Sequence, residues 1–255
     1  VTTIIEKEKT RDHTETLLKC YGYNIDLKQK SDKTIISLEG QKELNSVNIT
    51  IPGDPSSAAY PLVAGLICKN SNITLKSVLD NPTRNGLFKS LTEMGAKIRF
   101  YNEREEAGEK VFDIDVVSSR LKSIDICAER APSMIDDYPI LAVAASVADG
   151  ISIFRGLSEL KVKESNRLQG IYDFISKNGV EARIENDDLI ITGDPNGPEG
   201  GAFIKTNLDH RMAMSSIVMG MVSNQPIGID DYSTIKTSFP NFIDLMKRLG
   251  AKISV

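Results

Sequence analysis

Tryptophan is absent from this chain of 255 residues, and aromatic residues make up only 6% of it. Proteins that bind single-stranded nucleic acids usually combine a basic groove with aromatic side chains on which the bases stack. The formal net charge of −4 also argues against a basic binding stripe. The composition therefore disfavours a nucleic-acid partner. The remaining balance, 40% hydrophobic and 26% charged residues, is typical of a globular protein.

Cysteine, histidine and long apolar runs are also scarce. The chain has three cysteines, none in a CxxC pair, and two histidines. This pattern predicts neither a disulfide framework nor a metal site, and it favours a reducing compartment such as the cytoplasm. No run approaches the roughly 18 apolar residues of a membrane span, so we expect no membrane segment. The first residues do not form a signal peptide, and a start inside a predicted strand suggests a portion of a longer protein.

The chain does contain a threefold repeat. The segments LFKSLTEMG, IYDFISKNG and FIDLMKRLG each predict an amphipathic helix that ends at Gly95, Gly179 or Gly250. Glycine after a helix suits the left-handed backbone of a C′ position. A strand is predicted directly after each of these glycines, and the third such strand covers 251–255. The period exceeds that of common solenoid repeats, which indicates packed supersecondary units.

Each repeat begins with a second kind of helix, apolar on most faces. These first helices are predicted over residues 56–69, 136–148 and 209–222. A helix that is apolar all round is expected to be buried. The pattern predicts an α/β fold with helices inside and sheets outside. A short helix from Asp12 and a hairpin of 23–27 with 34–38 precede a polar linker, and a domain boundary is expected near Pro52.

Polar residues that could carry chemistry cluster at the starts of the first helices, in GDPSS, PSMIDDYP and NLDHR. The neighbouring acids Asp136 and Asp137 point in different directions from a helix start, so one is free to accept a proton from a substrate hydroxyl. Plain N-capping is the alternative for these acids and for Asp54. His210 and Arg211 form either an exposed helix start or part of an anion site.

The segment KVKESNR holds the densest charge cluster, Lys161, Lys163, Glu164 and Arg167. If the segment is helical, Lys163 and Arg167 share a face and could clamp a carboxylate or phosphate. A solvated first turn with an ion pair is the alternative. If symmetry relates the three units, their helix starts converge, and Lys163, Arg167 and Arg211 then predict a site for a small polyanion.

Six segments, in this order, resemble signatures of the EPSP synthase (3-phosphoshikimate 1-carboxyvinyltransferase) family: TRDHTETLL, IPGDPSSAAYPL, APSMIDDYPILAVAA, LKVKESNRL, LDHRMAMS and TSFPNF. The resemblance spans essentially the whole chain. It implies the inside-out barrel of the enolpyruvyltransferases, with two domains of three βαβαββ units each and substrates bound between them. Residues 1–50 then correspond to the end of the N-terminal domain, and 51–255 to most of the other domain.

The resemblance also implies a reaction. The enolpyruvyl group of phosphoenolpyruvate moves to the 5-hydroxyl of shikimate 3-phosphate and phosphate is released, without a cofactor or metal. Asp136 corresponds to the base that takes the hydroxyl proton, and Glu164 to the acid that protonates the methylene carbon. Lys163 corresponds to a ligand of the shikimate 3-phosphate.

Four further residues receive binding roles from the same resemblance. Arg167 and Arg211 would hold phosphoenolpyruvate with His210 beside them, and Arg11 would contact the shikimate phosphate. The full-length enzyme is expected to be a cytoplasmic monomer, and this chain alone is expected to be inactive. Two alternatives remain open, a UDP-N-acetylglucosamine enolpyruvyltransferase and a non-catalytic anion-binding module.

Overall fold

The computed structural model describes residues 1–7 and 9–254. Within those residues the chain forms seven α-helices and twelve β-strands. The helices are α1 (His13–Cys20), α2 (Pro55–Ile67), α3 (Gly86–Glu93), α4 (Tyr138–Ser146), α5 (Arg167–Lys177), α6 (His210–Gly220) and α7 (Phe242–Arg248). The strands are β1 (Thr2–Glu6), β2 (Asp26–Lys30), β3 (Lys33–Leu38), β4 (Asn72–Leu79), β5 (Lys97–Glu106), β6 (Glu109–Val117), β7 (Asp125–Ile126), β8 (Gly150–Phe154), β9 (Glu181–Glu185), β10 (Asp188–Gly193), β11 (Phe203–Ile204) and β12 (Gly228–Ile229).

Two complete copies of one unit follow the predicted boundary. In the second copy, β7, α4, β8, α5, β9 and β10 follow one another, and the sheet order is β7-β8-β10-β9. In the first copy Gly53 bridges Val78 in parallel, and the sheet continues as β4-β6-β5. The last strand of each unit is therefore inserted antiparallel between two earlier strands. This arrangement confirms the predicted βαβαββ order for both copies.

The third unit has the same beginning. Strands β11 and β12 pair in parallel, with α6 between them in sequence and α7 after them. Residues 251–254 are not in a strand, so the predicted strand at 251–255 is wrong for these four residues, and Val255 lies outside the described residues. A strand needs a hydrogen-bonded neighbour, and no described strand pairs with this segment.

The three first helices form the centre of the fold. Helices α2, α4 and α6 contact one another, and every residue of α4 is buried. The predicted burial of these helices is therefore confirmed. Helix α4 begins at Tyr138, so the predicted start at Asp136 is wrong by two residues. The later start places Pro139 in the first turn, where its missing N–H costs no hydrogen bond. In the part of the chain that is described, no helix has the length and apolarity needed to cross a bilayer.

The glycines that close the second helices adopt the predicted left-handed conformation. Their φ angles are +84° at Gly95, +85° at Gly179 and +103° at Gly250. After α3, the N–H of Ala96 donates to the carbonyl of Leu91 at 3.0 Å, and equivalent bonds follow α5 and α7. These are Schellman caps, which satisfy carbonyls that the helix end would otherwise leave unpaired.

The N-terminal strands form a separate sheet of order β1-β3-β2. The hairpin is present, although its first strand occupies Asp26–Lys30 instead of the predicted 23–27. The two-residue turn begins at Ser31 with φ +47° and pairs Lys30 with Lys33, which sets the register. No residue of these three strands is buried among the described residues.

Close packing at the end of β10 makes a stability prediction possible. A Cβ at Gly193 would lie 2.3 Å from the carbonyl oxygens of both Ala145 and Ala148. We expect Gly193→Ala to lower the free energy of unfolding by about 3 kcal/mol, because backbone atoms cannot move aside as a side chain can. Denaturant unfolding measures the change. The matched control is Gly40→Ala, which meets no atom within 4 Å and should change stability by less than about 0.5 kcal/mol.

Candidate active site

Side-chain contacts join the starts of the three buried helices. Arg211, in the first turn of α6, lies 3.8 Å from the Asp136 carboxylate and 3.6 Å from that of Asp137, just before α4. Arg84, just before α3, lies 2.6 Å from Asp54 at the start of α2. Arg84 and Ser56 of the first unit also face Asp137, so the three helix starts converge as predicted. Arg84, Arg167 and Arg211, one from each unit, therefore lie at one end of the helical core.

Asp136 lies at the centre of this cluster. One carboxylate oxygen accepts a hydrogen bond from Arg167 at 3.0 Å, and the other accepts one from Arg11. Lys163 lies 3.9 Å away and Arg211 3.8 Å away. Burial alone would raise the pKa of Asp136, but Arg211, Arg11 and Lys163 outweigh it and lower the pKa to about 2. The carboxylate is therefore ionised at neutral pH.

Arg167 is the largest fully buried side chain among the described residues. Its Nε donates to Asp209 at 2.8 Å, one Nη donates to Asp136, and the other lies 2.6 Å from Glu164. Three carboxylates therefore surround one guanidinium, whose planar fork suits such pairing. Glu164 is about half exposed, whereas Asp136 is mostly buried and Asp209 fully buried.

The structure brings Lys163 and Arg167 together at Asp136, but not through a shared helix face, because Lys163 precedes the helix. Residues 158–162 form a 3-10 turn, and α5 begins only at Arg167 because Asn166 caps it, with its side chain accepting from the N–H of Gln169 at 3.2 Å. The turn directs Lys163 toward Asp136 and Glu159. Lys161 points elsewhere and pairs with Asp187 at 2.5 Å.

His210 and Arg211 open α6 side by side. Burial and the neighbouring Arg211 lower the pKa of His210, so its imidazole is neutral at pH 7. Burial also acts to lower the pKa of Arg211, but Tyr60, Asp137 and Asp136 raise it above its ordinary value. A permanent cation and a neutral histidine therefore stand together at the helix start.

Arg11 reaches the site from the segment before α1. Its guanidinium donates to the Asp136 carboxylate, although the two residues are 125 positions apart in sequence. The side chain remains about 45% exposed, so it can also contact a bound molecule. The predicted site residues Arg11, Asp136, Lys163, Arg167 and Arg211 are thus all in one cluster.

Sequence analysis missed two members of the cluster. Asp209 is fully buried, accepts from Arg167, and caps α6 by accepting from the N–H of Arg211 at 2.9 Å. Arg84 stands just before α3 as Arg167 stands at the start of α5. Aligning the repeats on Gly95 and Gly179 would have marked Arg84, because it precedes its glycine at almost the same spacing as Arg167.

Asp54 has the capping role that was the alternative for its segment, and it also pairs with Arg84. The Asp54 carboxylate accepts from the N–H of Ser57 at 2.8 Å and from its hydroxyl at 2.9 Å. This is the N-cap arrangement proposed as the alternative for GDPSS. Within residues 1–7 and 9–254, no group of three or more His, Cys, Asp or Glu side chains is arranged to hold a metal ion.

The cluster is chemically suited to hold an anion beside an ionised carboxylate. Four cationic side chains contact Asp136, and all of them except Arg167 retain some exposure to solvent. An incoming phosphate or carboxylate can share these cations through charge-assisted hydrogen bonds. Such sharing would withdraw positive charge from Asp136 and make it a stronger base.

Comparison with protein families gives one match that covers almost the whole chain. The model of EPSP synthase (3-phosphoshikimate 1-carboxyvinyltransferase) matches residues 1–246. A protein of that name from Acidiphilium cryptum is 50% identical over 253 residues, which cover 99% of this chain and 56% of the relative. One from Paramagnetospirillum magneticum is 50% identical over 254 residues, covering 99% and 57%. The chain therefore spans somewhat over half the length of these relatives.

Solved structures agree with the sequence match. An EPSP synthase from Acinetobacter baumannii superposes with a TM-score of 0.91 at 38% identity, covering 99% of this chain and 57% of that one. The enolpyruvyl transferase NikO from Streptomyces tendae gives a TM-score of 0.74 at 17% identity, which supports the fold alone. The α/β architecture predicted from the repeats is thus confirmed by the fold that these proteins share.

Proposed function

Because this chain belongs to the EPSP synthase family, we propose that the full-length protein transfers the enolpyruvyl group of phosphoenolpyruvate to the 5-hydroxyl of shikimate 3-phosphate and releases phosphate. By full-length protein we mean this chain together with the segments that complete the length of its relatives. The observation that carries the proposal is the ionised Asp136, surrounded by four cations at the meeting point of three helix starts.

The cations account for the binding of two anionic substrates. Lys163 and Arg11, both partly exposed, are suited to the phosphate of shikimate 3-phosphate. Arg211 is suited to the carboxylate or phosphate of phosphoenolpyruvate, with the neutral His210 available for a further hydrogen bond. Arg167 lies deeper and holds Asp136, Asp209 and Glu164 in place, so in this structure its contribution to anion binding is largely electrostatic.

Two carboxylates account for the proton transfers. The oxygen of the 5-hydroxyl adds to C2 of phosphoenolpyruvate while Asp136 accepts the hydroxyl proton. Glu164 donates a proton to C3. In the second half the C2–O bond to phosphate breaks and the phosphate leaves with the electron pair, while the ionised Glu164 takes a proton back from C3, which restores the double bond between C2 and C3. The proton held by Asp136 passes to the released phosphate. Asp136 is a weak base while four cations surround it. Substrate anions that share those cations raise its pKa at the moment when a base is required.

We further propose that residues 1–50 belong to a domain other than that of residues 51–255. The sheet of β1, β2 and β3 has no buried residue among those described, whereas the strands after residue 52 cover a buried helical core. A three-stranded sheet needs an apolar face packed against another layer to be stable. The rest of an N-terminal domain is the layer that the family organisation provides.

The proposed function predicts opposite results for two preparations. The full-length protein should release phosphate from a mixture of shikimate 3-phosphate and phosphoenolpyruvate. The 255-residue chain alone should release none, because half of a closed, water-excluding site is missing. The measurement is a phosphate-release assay on both preparations, with the length of each verified by mass spectrometry.

The same assay distinguishes the alternatives. A protein that uses a UDP-sugar acceptor would release phosphate only with UDP-N-acetylglucosamine, and a non-catalytic module would release none at full length. Either outcome contradicts the proposed function. Robust turnover by the 255-residue chain would leave the reaction in place but overturn the requirement for a second domain.

We also propose that the full-length protein works as a monomer in the cytoplasm. All three cysteines are free thiols, which is the usual state in a reducing compartment. The cationic site is formed by residues of a single chain. A second copy is therefore not needed to supply any of the groups named above.

A further inference from the structure

Asp137 has an unusual environment for a carboxylate. It stands at the N-cap position of α4, but its side chain makes no capping hydrogen bond. The side chain is about 4% exposed, and its Oδ1 has no hydrogen-bond partner among the described residues. Buried polar groups are almost always hydrogen-bonded, because an unpaired one keeps the full cost of its desolvation. Neither helix capping nor the proton transfers proposed above explain this residue.

Arg211 is the ion-pair partner of this buried carboxylate. Its Nη1 lies 3.6 Å from Oδ1 of Asp137 and donates to the backbone carbonyl of Asp136 at 3.2 Å. Its Nη2 lies 3.8 Å from the Asp136 carboxylate. The guanidinium of Arg211 thus contacts three groups, the two carboxylates and the backbone carbonyl of Asp136, and these contacts restrict its orientation.

Asp136 and Asp137 differ in the number of cationic side chains that they contact. The Asp136 carboxylate also contacts Arg11, Lys163 and Arg167. In the described part of the chain, the only ion pair of Asp137 is with Arg211. A bound anion that draws cations away from Asp136 therefore leaves Asp137 as the carboxylate that still holds Arg211.

We propose that Asp137 is a positioning residue, which holds the Arg211 guanidinium in the orientation that binds phosphoenolpyruvate. The inference rests on the proposed function, because it assigns Arg211 to that substrate. Asp137 does not touch the reacting atoms in this scheme. It acts through Arg211, and its burial keeps the pair out of competition with water.

The other charged or titratable groups around Asp137 bear on its protonation. Arg84 and Ser56 face it from the first unit, the buried hydroxyls of Tyr60 and Tyr138 lie near it, and Asp136 precedes it. Burial raises the pKa of Asp137 to about 6, against the opposing effects of Arg211, Ser56 and Arg84. Asp137 is therefore charged at pH 7.5 and loses its hold on Arg211 as the pH falls through about 6.

The test compares four variants of the full-length protein: Asp137→Asn, Arg211→Lys, the double variant and Asp125→Asn. Asp125→Asn is the control, because the exposed Asp125 carboxylate pairs with Arg155 away from the site. At pH 7.5 we expect Asp137→Asn to raise KM for phosphoenolpyruvate about tenfold, because a charge-assisted contact is lost. Its kcat and its KM for shikimate 3-phosphate should stay within about threefold. In the Arg211→Lys background the same substitution should have less than about a twofold effect.

Two further readouts separate positioning from a merely structural role. As the pH falls below about 6, the KM for phosphoenolpyruvate should rise more steeply in the wild type than in Asp137→Asn. The substrate phosphate also titrates in this range, and Asp137→Asn, which lacks the carboxyl group, shows how much of the rise that titration causes. The melting temperature of Asp137→Asn at pH 7.5 should equal or exceed that of the wild type. Because folding raises the pKa of Asp137 from its ordinary value of 3.8, the ionised carboxylate opposes folding at any pH above that value.

Several outcomes would overturn the proposal: an unchanged KM for phosphoenolpyruvate in Asp137→Asn, an equal effect of this substitution in the Arg211→Lys background, or identical pH profiles. The wild-type pH profile and the Arg211→Lys variant remain informative if Asp137→Asn does not fold. If the wild type shows no turnover, the proposed function fails separately. A crystal structure of Asp137→Asn then decides whether Arg211 loses its single orientation, as expected, or keeps it, which would end the positioning role.

Discussion

Replacing Asp136 with asparagine should lower the kcat of the full-length protein by about 100-fold to 10,000-fold, the range typical for loss of a general base. Asparagine keeps the shape of the side chain and one hydrogen-bonding oxygen, but it cannot accept a proton from the substrate hydroxyl. The affinity for shikimate 3-phosphate should not fall in parallel, because Arg11, Lys163 and Arg211 remain and lose a competing negative charge. Steady-state kinetics and equilibrium binding measure the two effects separately.

The control for this variant is Asp194→Asn, which changes an exposed aspartate that accepts only within its own turn. It should keep wild-type kcat. Capping does not offer a rival explanation, because Asp137, not Asp136, occupies the N-cap position of α4. Turnover of Asp136→Asn near the wild-type rate would therefore end the assignment of Asp136 as the base.

Replacing Arg167 with methionine should lower the free energy of unfolding of the purified chain by about 3–5 kcal/mol, the cost of leaving one partner of a buried ion pair uncompensated. Arg167 and Asp209 are both fully buried, and the bond between them is 2.8 Å long. Methionine fills much of the arginine volume, so the loss reports on charge more than on packing. Denaturant unfolding at pH 7.5 measures it.

The deficit of Arg167→Met should shrink as the pH falls. In the wild type, burial raises the pKa of Asp209, but Arg167 outweighs burial and holds it below its ordinary value of 3.8. A lowered pKa contributes stability at higher pH that is lost as the pH falls. Without Arg167, burial dominates and the pKa of Asp209 lies above 3.8, so the variant is penalised most at neutral pH. Unfolding at pH 7.5 and pH 4.5 compares the two deficits.

The matched control for the charge argument is Arg155→Met, which removes an arginine from an exposed pair with Asp125. Exposed ion pairs contribute about 0–1 kcal/mol, so this variant should stay within that range at both pH values. Equal deficits for Arg167→Met and Arg155→Met would show that the buried group around Arg167 does not stabilise the fold.

Much of the fold could be predicted because local patterns dictate it. Apolar residues on all faces of α4 require burial, and the glycines after α3, α5 and α7 end those helices wherever they pack. The strand predicted at 251–255 is absent from residues 251–254 for the opposite reason. A strand depends on a neighbour that the local residues do not specify, and none is paired with this segment in the described chain.

The members of the site could be named more readily than their contacts. Asp136, Lys163 and Arg211 stood out as charges at the starts of apolar helices. Asp209 did not, because an aspartate before a helix is the ordinary N-cap, and only its buried contact with Arg167 distinguishes it. The condition for Lys163 and Arg167 to share a helix face is not met, since a 3-10 turn precedes Lys163.

The order of residues along the chain is sufficient for the repeats, the buried helices and the presence of several cations near helix starts, because these depend on hydrophobic periodicity and on capping within a few residues. The pairing of charges depends on packing between units. Arg11 meets Asp136 across 125 positions, and Asp137 meets Arg211 inside the core. Burial and such long-range neighbours move the pKa of Asp136 to about 2 and that of Asp137 to about 6, so two adjacent aspartates acquire different roles only in the folded protein.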